Sequence, residues 1–529
     1  MIKHRKLHFF GVAFALSLLI LLLPVRTGLA QRSAAKPDSV DTWSAGPNLP
    51  TPLVRAVGVF FPANGKFYAM GGRSADGTGN DLLHPLEYAP STNSWTTKSG
   101  TFSSTYVNNM ACGVLSQGGT PYIFCVGGTF GGGTDAIPRV ARYDPVADVM
   151  TDLPAADNWP ADPHDGNTEV IPGGFVVVGN KLYIVGGFNV TPTVCGPTDC
   201  MIKQTWVFDP SAASGSRWTQ KSDYIATRGY IPTAAIGNII YTAGGSLWDP
   251  GAQTIADSAD SGKYNIATDT WSAIANIPRI TAETRALNVY GQMWVMGGGR
   301  SAPNPSNEVD IYNPYCNTWT IGAPFVMPRR NFPTDTDGVS RVWLAGGYVN
   351  GLPDNTMEID KFPQATSAVS RKAHGGSGNF DVPLPLNGPA AVECRTGPTY
   401  QMVVTFSTTV TVGSAAVTCG AGSVGSFTGN GTNTITVNLT GVTDIQRITV
   451  TLNSVSDGTN TGDIPISMGV LVADVNGNGV VNAADVALTK SKVGQSVDSS
   501  NFREDVNANG AINAVDVALV KSDVGHALP

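Results

Sequence analysis

Six apolar segments that end in paired glycines recur along most of this 529-residue chain. The segments are FYAMGG, IFCVGG, LYIVGG, IIYTAGG, MWVMGG and VWLAGG, and their glycine pairs fall at Gly71-Gly72, Gly127-Gly128, Gly186-Gly187, Gly244-Gly245, Gly297-Gly298 and Gly346-Gly347. They recur about every 50 residues, although irregularly, and this is the period at which four strands form one propeller blade. With 61 glycines, 35 prolines and only 14% charged residues, the composition favours short strands and turns. The repeats therefore predict an all-β fold with six blades.

Most repeats also carry an aromatic residue, a turn and a tryptophan after the glycine pair. These elements join Tyr88 to Trp95, Phe208 to Trp218, Tyr264 to Trp271 and Tyr312 to Trp319, and Met150 takes the tryptophan position in the second repeat. The sixth repeat lacks a tryptophan after Phe362, whereas Trp43 has no glycine pair before it. We therefore expect the segment Asp41–Pro50 to supply the missing outer strand of the last blade, because this pairing closes the ring and removes its open edges.

The glycine pairs, their spacing and the aromatic-to-tryptophan element together resemble kelch repeats over roughly residues 41–363. The resemblance implies a six-bladed kelch β-propeller, whose function lies in its loops and channel. Residues 364–470 then alternate apolar positions with threonine or asparagine, as in TNTITVNLTGV. This pattern predicts a β-sandwich that serves as a spacer or accessory module.

Two similar twelve-residue segments, DVNGNGVVNAAD and DVNANGAINAVD, follow each other near the C terminus. Each places oxygen-bearing side chains at positions 1, 3, 5 and 12 and a glycine at position 6, where a calcium loop turns sharply. Position 7 would contribute a backbone carbonyl, and Asn482 and Asn513 at position 9 would act through water. The predicted ligands of two calcium ions are Asp474, Asn476, Asn478, Val480 and Asp485 in the first loop and Asp505, Asn507, Asn509, Ala511 and Asp516 in the second.

The two loops and the apolar stretches that follow them resemble the dockerin family over about residues 471–529. The resemblance implies a small helical domain that attaches a secreted protein to a cohesin receptor module. Dockerins recognise this partner through loop positions 10 and 11 and the following helix. In this chain the corresponding residues are Ala483, Ala484, Lys490, Ser491, Ala514, Val515, Lys521 and Ser522. They carry fewer hydroxyl groups than the commonest dockerin pattern, which leaves the identity of the cohesin open.

The first 30 residues have a basic start, an apolar run from Phe9 to Leu23 and small residues up to Ala30. This is the pattern of an export signal, so we expect cleavage after Ala30 and a secreted or cell-surface protein without a membrane span in the mature chain. The formal net charge of −7 and the lack of a basic tract argue against a general nucleic-acid binder.

Seven cysteines in an exported chain can form disulfides and leave one cysteine over. The spacing favours Cys195 with Cys200 across one loop, Cys112 with Cys125 across a hairpin, and Cys394 with Cys419 in the next domain. Cys316 would then be unpaired, although the sequence alone leaves these pairings open.

Arginines precede the first strand of four repeats, namely Arg55, Arg228, Arg285 and Arg330. If they share one repeat position, their guanidinium groups converge on one mouth of the channel and can bind a carboxylate or a polar sugar in bidentate fashion. The alternative is that these arginines belong to the repeat itself and pack between blades.

The kelch resemblance and the possible sugar ligand suggest three classes of enzyme with which this chain can be compared. Some secreted kelch propellers resemble galactose oxidase, whose copper needs two histidines and a tyrosine pair, but only His84 and His164 of the six histidines lie in the repeat region. Others resemble sialic-acid mutarotases, for which Glu169 and Glu283 are candidate acids. The inner strands offer no repeated acids at a spacing typical of glycosidases. We therefore favour a secreted modular protein whose propeller binds a glycan or other extracellular ligand while its dockerin docks to a cohesin. A carbohydrate-active hydrolase, lyase or mutarotase is the alternative, and a structural surface protein is the third possibility.

Overall fold

A computed structural model describes residues 43–131, 135–191, 201–249, 251–252, 254–300, 304–397 and 399–529. The expected export signal and the expected pair Cys195 and Cys200 lie outside the described residues. The chain forms a six-bladed propeller, then a sandwich of two sheets, then a small helical unit. The predicted fold class is confirmed.

Each blade is a four-stranded antiparallel sheet, and the first strands of neighbouring blades contact each other around the channel. From the channel outward, blade 1 consists of Val57–Phe61, Lys66–Met70, Leu86–Ala89 and Ser94–Thr97, and blade 2 of Ala111–Gln117, Thr120–Val126, Val140–Asp144 and Val149–Asp152. Blade 3 consists of Val170–Val178, Lys181–Asn189, Met201–Phe208 and Trp218–Lys221, and blade 4 of Thr233–Ile236, Ile239–Ala243, Ser261–Asn265 and Thr270–Ala273. Blade 5 consists of Ala286–Val289, Gln292–Gly298, Ser306–Asn313 and Thr318–Ile321, and blade 6 of Thr334–Thr336, Arg341–Ala345, Met357–Lys361 and Trp43–Ala45. Two short hairpins pair Ser246–Asp249 with Thr254–Asp257 and Tyr348–Val349 with Leu352–Pro353.

The paired glycines are required where the second strand of a blade meets the chain entering the next one. Gly71 and Gly72 have φ angles of 66° and 85°, which L side chains rarely adopt. A Cβ atom on Gly71 would lie 2.3 Å from the carbonyl oxygen of Val107, and the N–H of Gly72 donates to that same oxygen at 2.8 Å. The glycine pair thus lets two backbones approach closely at the end of the strand.

The N-terminal strand closes the ring, as the sequence predicts. Trp43 pairs with Asp360 on the third strand of blade 6, and its side chain is only 5% exposed. Its indole N–H donates to the carbonyl oxygen of Ala323 at 3.1 Å, and its ring packs edge-on against Phe325. The first described residues therefore complete the last blade and hold it against blade 5.

The same indole bond joins most other neighbouring blades. Tryptophan N–H groups donate to backbone carbonyls that follow the outer strand of the preceding blade, from Trp95 to Pro47, Trp218 to Asp157, Trp271 to Ser222 and Trp319 to Ala275. Blade 2 has Met150 at this position, and there the Asp148 carboxylate accepts from the backbone N–H groups of Ser99 and Gly100. Each blade is therefore joined to the previous one by a hydrogen bond as well as by apolar packing.

The sandwich packs against the side of the ring formed by blades 5 and 6. Its first sheet has the strand order Asn379–Leu384, Ala365–Ala373, Thr399–Val410, Thr432–Thr440 and Ser423–Thr428, and its second has Val392–Glu393, Thr461–Val470, Gln446–Ser456 and Ser414–Cys419. One apolar cluster runs from Leu287 and Val342 of the propeller to Val404 and Ile466 of the sandwich. The spacer therefore shares a continuous core with the propeller.

The disulfides differ in part from the expected pairing. Cys112 is bonded to Cys125 across its hairpin, as predicted, but Cys316 of blade 5 is bonded to Cys419 of the sandwich. The expected pair of Cys394 with Cys419 is wrong, because Cys394 lies beneath the C-terminal unit, where its Sγ contacts the carbonyl oxygen of Arg503. Burial raises the pKa of the Cys394 thiol to about 11, so little of the reactive thiolate is present.

The C-terminal unit contains two short helices, α1 at Ala483–Lys492 and α2 at Ala514–Ser522. Asn482 and Asn513 cap their N termini, and Asp485 and Asp516 return the bond to the cap residue. The unit packs on the sandwich through an apolar cluster that includes Val392, Leu471, Val475, Val506 and Val520. No helix in the described ranges is long and apolar enough to cross a membrane.

Candidate functional site

A ring of residues in the left-handed backbone conformation surrounds one mouth of the channel. Tyr230, Glu283, Asn331, Arg55 and Asn109 each precede the first strand of a blade and have φ angles from 50° to 59°. Backbone hydrogen bonds of 2.7 to 3.3 Å join these residues in series. Each N–H donates to the carbonyl oxygen of the previous residue in the ring, from Glu283 to Tyr230, Asn331 to Glu283, Arg55 to Asn331 and Asn109 to Arg55. Non-glycine residues rarely adopt this conformation, and such residues cluster at functional sites. This mouth is therefore the candidate ligand site.

The four predicted arginines do not share one repeat position. Arg55 belongs to the ring and Arg330 precedes Asn331, whereas Arg228 and Arg285 lie two residues before and two residues after a ring position. A left-handed residue turns the chain, so an offset of two residues sends a side chain to a different place. Arg55 and Arg330 therefore reach the mouth, Arg228 does not, and Arg285 lies at the inner end of the mouth cavity.

Arg228 is part of the blade scaffold. Its side chain is buried, and it pairs with Asp260 and donates to the Ser258 hydroxyl at 3.2 Å. Arg279 with Asp310, at 3.0 Å, and Arg329 with Glu358, at 2.7 Å, repeat this pairing in blades 5 and 6. The alternative reading, in which the arginine belongs to the repeat, therefore describes Arg228.

Arg285 lies deeper in the channel. Its Nη1 donates to the carbonyl oxygen of Gly58 at 2.8 Å, and the guanidinium carbon lies 4.4 Å from the centre of the Phe175 ring. Burial lowers the pKa of Arg285, and the nearby Asp335 acts in the opposite direction. Arg285 lines both the cavity at the mouth and the cavity at the other end, so it separates the two.

Two arginines at the mouth share one carboxylate. The Glu283 carboxylate contacts the guanidinium groups of both Arg330 and Arg300, and the Asp257 carboxylate also lies near Arg300. Arg300 lies 5.4 Å from the centre of the Tyr230 ring, and Arg330 lies 4.7 Å from that of Tyr348. The aromatic faces hold both cations in place by cation–π attraction.

Arg55 adds a third cation at the same mouth. Burial opposes its charge, but the neighbouring Tyr230, Tyr348 and Glu283 outweigh burial and raise the pKa of Arg55. Its buried Nε has no hydrogen-bond partner among the described residues. The cavity behind the mouth has a volume of about 70 Å³, which admits a few waters or a carboxylate group but not a sugar ring.

Sequence reasoning missed Arg300, Tyr230 and Tyr348. Arg300 follows the third glycine of MGGGR in a loop whose length varies between repeats, so the repeat pattern carries no signal for it. Tyr348 directly follows the last glycine pair, and this position in the repeat could have indicated that its side chain lies near the mouth. Glu283, a candidate acid in the comparison with mutarotases, has both carboxylate oxygens bonded to arginines.

The other candidate residues of an enzyme are bonded to near neighbours. His164 contacts the buried Glu169 carboxylate at 2.7 Å, and the hydrogen bonds of Nδ1 of His84 go to Gly100 and Thr101. The Glu169 carboxylate also accepts from the N–H of Gly166 at 2.6 Å. Both histidines thus have local partners, and His164 and Glu169 also lie within 4.8 Å of the Asp135 carboxylate, as a metal-binding group would.

The two predicted calcium loops share most of their internal bonds. The carboxylates of Asp474 and Asp505 accept from the N–H groups of Gly479 and Gly510, while those of Asp485 and Asp516 accept from N–H groups at positions 3 and 9. The side-chain oxygen at position 3 accepts from the backbone N–H at position 5, and the one at position 5 accepts from the backbone N–H at position 7. The donors are Asn478 and Val480 in the first loop and Asn509 and Ala511 in the second. The carbonyl oxygens of Val480 and Ala511 accept from the position 9 amides, Asn482 and Asn513. Asn476 and Asn507 supply the oxygens at position 3.

The charges of the loops fit a divalent cation. Asp474, Asp485, Asp505 and Asp516 are all fully buried, which places two carboxylates inside each loop. Burial and the charge of Asp485 raise the pKa of Asp474, and burial together with Asp505 raises that of Asp516. A divalent cation held by both carboxylates offsets this repulsion, and calcium prefers such oxygen ligands.

Family models match two parts of the chain. The model described as Dockerin type I domain matches residues 472–525, and the one described as Kelch motif matches residues 281–325. The chain carries kelch repeats and a type I dockerin domain.

Curated relatives are similar to the kelch region. They include beta-scruin of Limulus polyphemus (23% identical over 173 residues, 32% of this chain and 18% of that protein), Kelch-like protein 25 of Xenopus tropicalis (22% over 173 residues, 32% and 28%) and F-box/kelch-repeat protein At1g22040 of Arabidopsis thaliana (31% over 101 residues, 19% and 18%). Each match spans less than a third of the relative's own length. A solved structure of YjhT is 14% identical, with a TM-score of 0.45, and the match covers 59% of this chain and 95% of that one.

The dockerin domain leaves its predicted recognition residues accessible. Type I dockerin domains bind calcium and imply a cohesin partner. All eight predicted contact residues are exposed, namely Ala483, Ala484, Lys490, Ser491, Ala514, Val515, Lys521 and Ser522. Leu488 on α1 and Val515 on α2 are 38% and 56% exposed, so both helices present apolar surface to solvent.

Proposed function

We propose that this is an exported modular binding protein whose kelch propeller binds an acidic glycan while its dockerin domain, with one calcium ion in each loop, attaches it to a cohesin. The observation that carries the ligand assignment is the cluster of Arg55, Arg300 and Arg330 around Glu283, in which the guanidinium groups of Arg300 and Arg330 share one carboxylate. An arginine that serves only the scaffold has its own acid, as Arg228 does.

The chemistry of the mouth favours a carboxylate attached to a larger polar group. Arginine binds carboxylates through two parallel hydrogen bonds, and the buried Nε of Arg55 is a donor still to be satisfied. The cavity accepts the carboxylate, while the rest of the ligand remains outside, beside the half-buried Tyr230. Sugar rings commonly pack on such aromatic side chains through their apolar faces. An acidic sugar residue at the end of a glycan meets both requirements.

We expect Arg330→Ala to weaken binding of acidic glycans by about 5- to 150-fold, which corresponds to the cost of about 1–3 kcal/mol for leaving a buried polar group without its partner. Binding should also weaken with added salt, since the attraction is electrostatic. The measurement is a glycan array that carries uronic-acid and sialic-acid glycans beside neutral counterparts. Arg341→Ala is the matched control, because Arg341 is exposed at the opposite end of the blade 6 strand that leads to the mouth.

Arg330→Lys separates charge from geometry. Lysine keeps the positive charge but lacks the planar fork, so we expect binding between that of wild type and Arg330→Ala. Equal binding of acidic and neutral glycans by wild type, or unchanged binding by Arg330→Ala, would contradict the assignment.

An enzyme that acts on the same ligand is the second candidate, and Asp257 is the observation that favours it. Its Oδ2 accepts from the N–H of Arg300 at 2.7 Å, and its buried Oδ1 has no partner among the described residues. Burial raises the pKa of Asp257, and the nearby Glu283 adds to this effect. Sugar turnover that disappears in Asp257→Asn while binding persists would establish this alternative.

A further inference from the structure

A chain of buried polar side chains joins the second calcium loop to the sandwich. Nδ1 of His374 lies 2.8 Å from Oδ2 of Asp505, and Nη1 of Arg395 lies 3.0 Å from Nε2 of the same histidine. Arg395 in turn makes two hydrogen bonds with the Glu393 carboxylate, at 2.8 and 2.7 Å. All four residues are fully buried.

The direction of these bonds follows from Arg395. A guanidinium group only donates, so Nε2 of His374 accepts and the proton of the neutral ring is on Nδ1. His374 therefore donates to Asp505, whose Oδ2 also accepts from the N–H of Gly510 at 2.8 Å. The position 1 ligand of the second loop is thus oriented by a donor outside the dockerin domain.

The packing around His374 fixes its position. The ring packs edge-on against Phe380 of the sandwich and Phe502 of the dockerin domain, which stack on each other at 5.4 Å. The next residue, Gly375, has no room for a side chain, because a Cβ atom would lie 2.3 Å from the carbonyl oxygen of Asn509. The turn that follows the strand Ala365–Ala373 is therefore fitted closely against the second loop.

The first loop has no equivalent support in the described part of the chain. There the Asp474 carboxylate accepts from the backbone N–H groups of Gly477, Asn478 and Gly479, all within its own loop. The two loops share their sequence pattern, so this difference comes from the sandwich rather than from the loops.

We propose that His374 is a positioning residue for calcium in the second loop, and that calcium binding there is coupled to docking of the dockerin domain on the sandwich. The proposal rests on the calcium part of the proposed function. Groups that hydrogen-bond a metal ligand from behind typically change metal affinity 10- to 100-fold. Asp505 is held by His374 only when the two domains are docked, so calcium and docking favour each other.

The test isolates the second site by titrating calcium calorimetrically into residues 31–529 carrying Asp474→Ala, which removes the position 1 ligand of the first loop. Adding His374→Phe, which keeps an aromatic ring but cannot donate, should weaken the remaining site by about 10- to 100-fold. His374→Gln, which can donate to Asp505, should restore much of the affinity. Hydrogen exchange of residues 374–378 should slow on addition of calcium in the His374 protein and not in His374→Phe.

The possible results distinguish the role of His374 from calcium binding itself. Unchanged calcium affinity in His374→Phe, with wild type binding two ions, overturns the role of His374 and leaves the calcium assignment intact. Equal losses in His374→Phe and His374→Gln also overturn it, because the donor is then irrelevant. Wild type that binds no calcium in the second loop overturns the calcium part of the proposed function, and this inference with it.

Discussion

Replacing both Asp474 and Asp505 with alanine should abolish calcium-dependent binding to a cohesin. Each substitution removes one of the two carboxylates in a loop, together with the acceptor for the N–H of Gly479 or Gly510. The change removes ligands themselves, so the loss should exceed the roughly 100-fold upper range for groups behind a ligand. Because calcium binding and the folded loop stabilise each other, the recognition helices lose their support as well.

Surface plasmon resonance against a panel of type I cohesins, in calcium and then in EGTA, measures this effect. Asp498→Ala is the matched control, since Asp498 is an exposed acid of the same domain outside both loops. Wild-type protein should bind in calcium and dissociate in EGTA, and the control should do the same. Calcium-dependent binding that persists in the double variant would show that the loops are not the calcium sites.

Trp43→Ala should destabilise the propeller by about 3–5 kcal/mol, the range for removing a large buried aromatic side chain. The substitution leaves a cavity beside Phe325, removes the bond to Ala323 and weakens the strand that closes blade 6. Differential scanning calorimetry should show the propeller transition several degrees lower.

Trp43→Phe separates packing from hydrogen bonding. It keeps an aromatic ring and loses the N–H donor, so it should cost about 1 kcal/mol. Deleting residues 41–50 should cost more than either substitution, because it exposes the edge of blade 6. A melting temperature within about one degree of wild type for Trp43→Ala would contradict closure through the N-terminal strand.

The repeat pattern predicted the fold because each repeat satisfies the same local requirement. Glycine pairs occur where two backbones meet, and tryptophans occur where one blade bonds to the previous one. The missing tryptophan of the sixth repeat was therefore enough to assign Trp43 to blade 6. The calcium loops were equally open to prediction, because all the predicted ligands of each loop come from one short segment.

The ligand site could be predicted only in part, because its residues come from several blades. The sequence does not show which residue before each first strand adopts a positive φ, and an offset of two residues sent Arg228 into the scaffold and Arg285 into the channel. The bond from His374 to Asp505 joins residues 131 positions apart, and the disulfide from Cys316 to Cys419 joins residues 103 positions apart. Contacts at such separation leave no periodic signal.

One molecule should bind an acidic glycan at the propeller mouth while its dockerin domain holds it to a cohesin. The direct measurement captures the protein on an immobilised type I cohesin in calcium and then injects galacturonic-acid or sialic-acid oligosaccharides and their neutral counterparts. Wild type should bind the acidic oligosaccharides selectively, and Arg330→Ala should be captured equally but bind them at least about 5-fold more weakly. Binding of acidic glycans at the propeller mouth would be contradicted if captured wild-type protein did not distinguish acidic from neutral oligosaccharides. It would also be contradicted if Arg330→Ala bound the acidic oligosaccharides as wild type does.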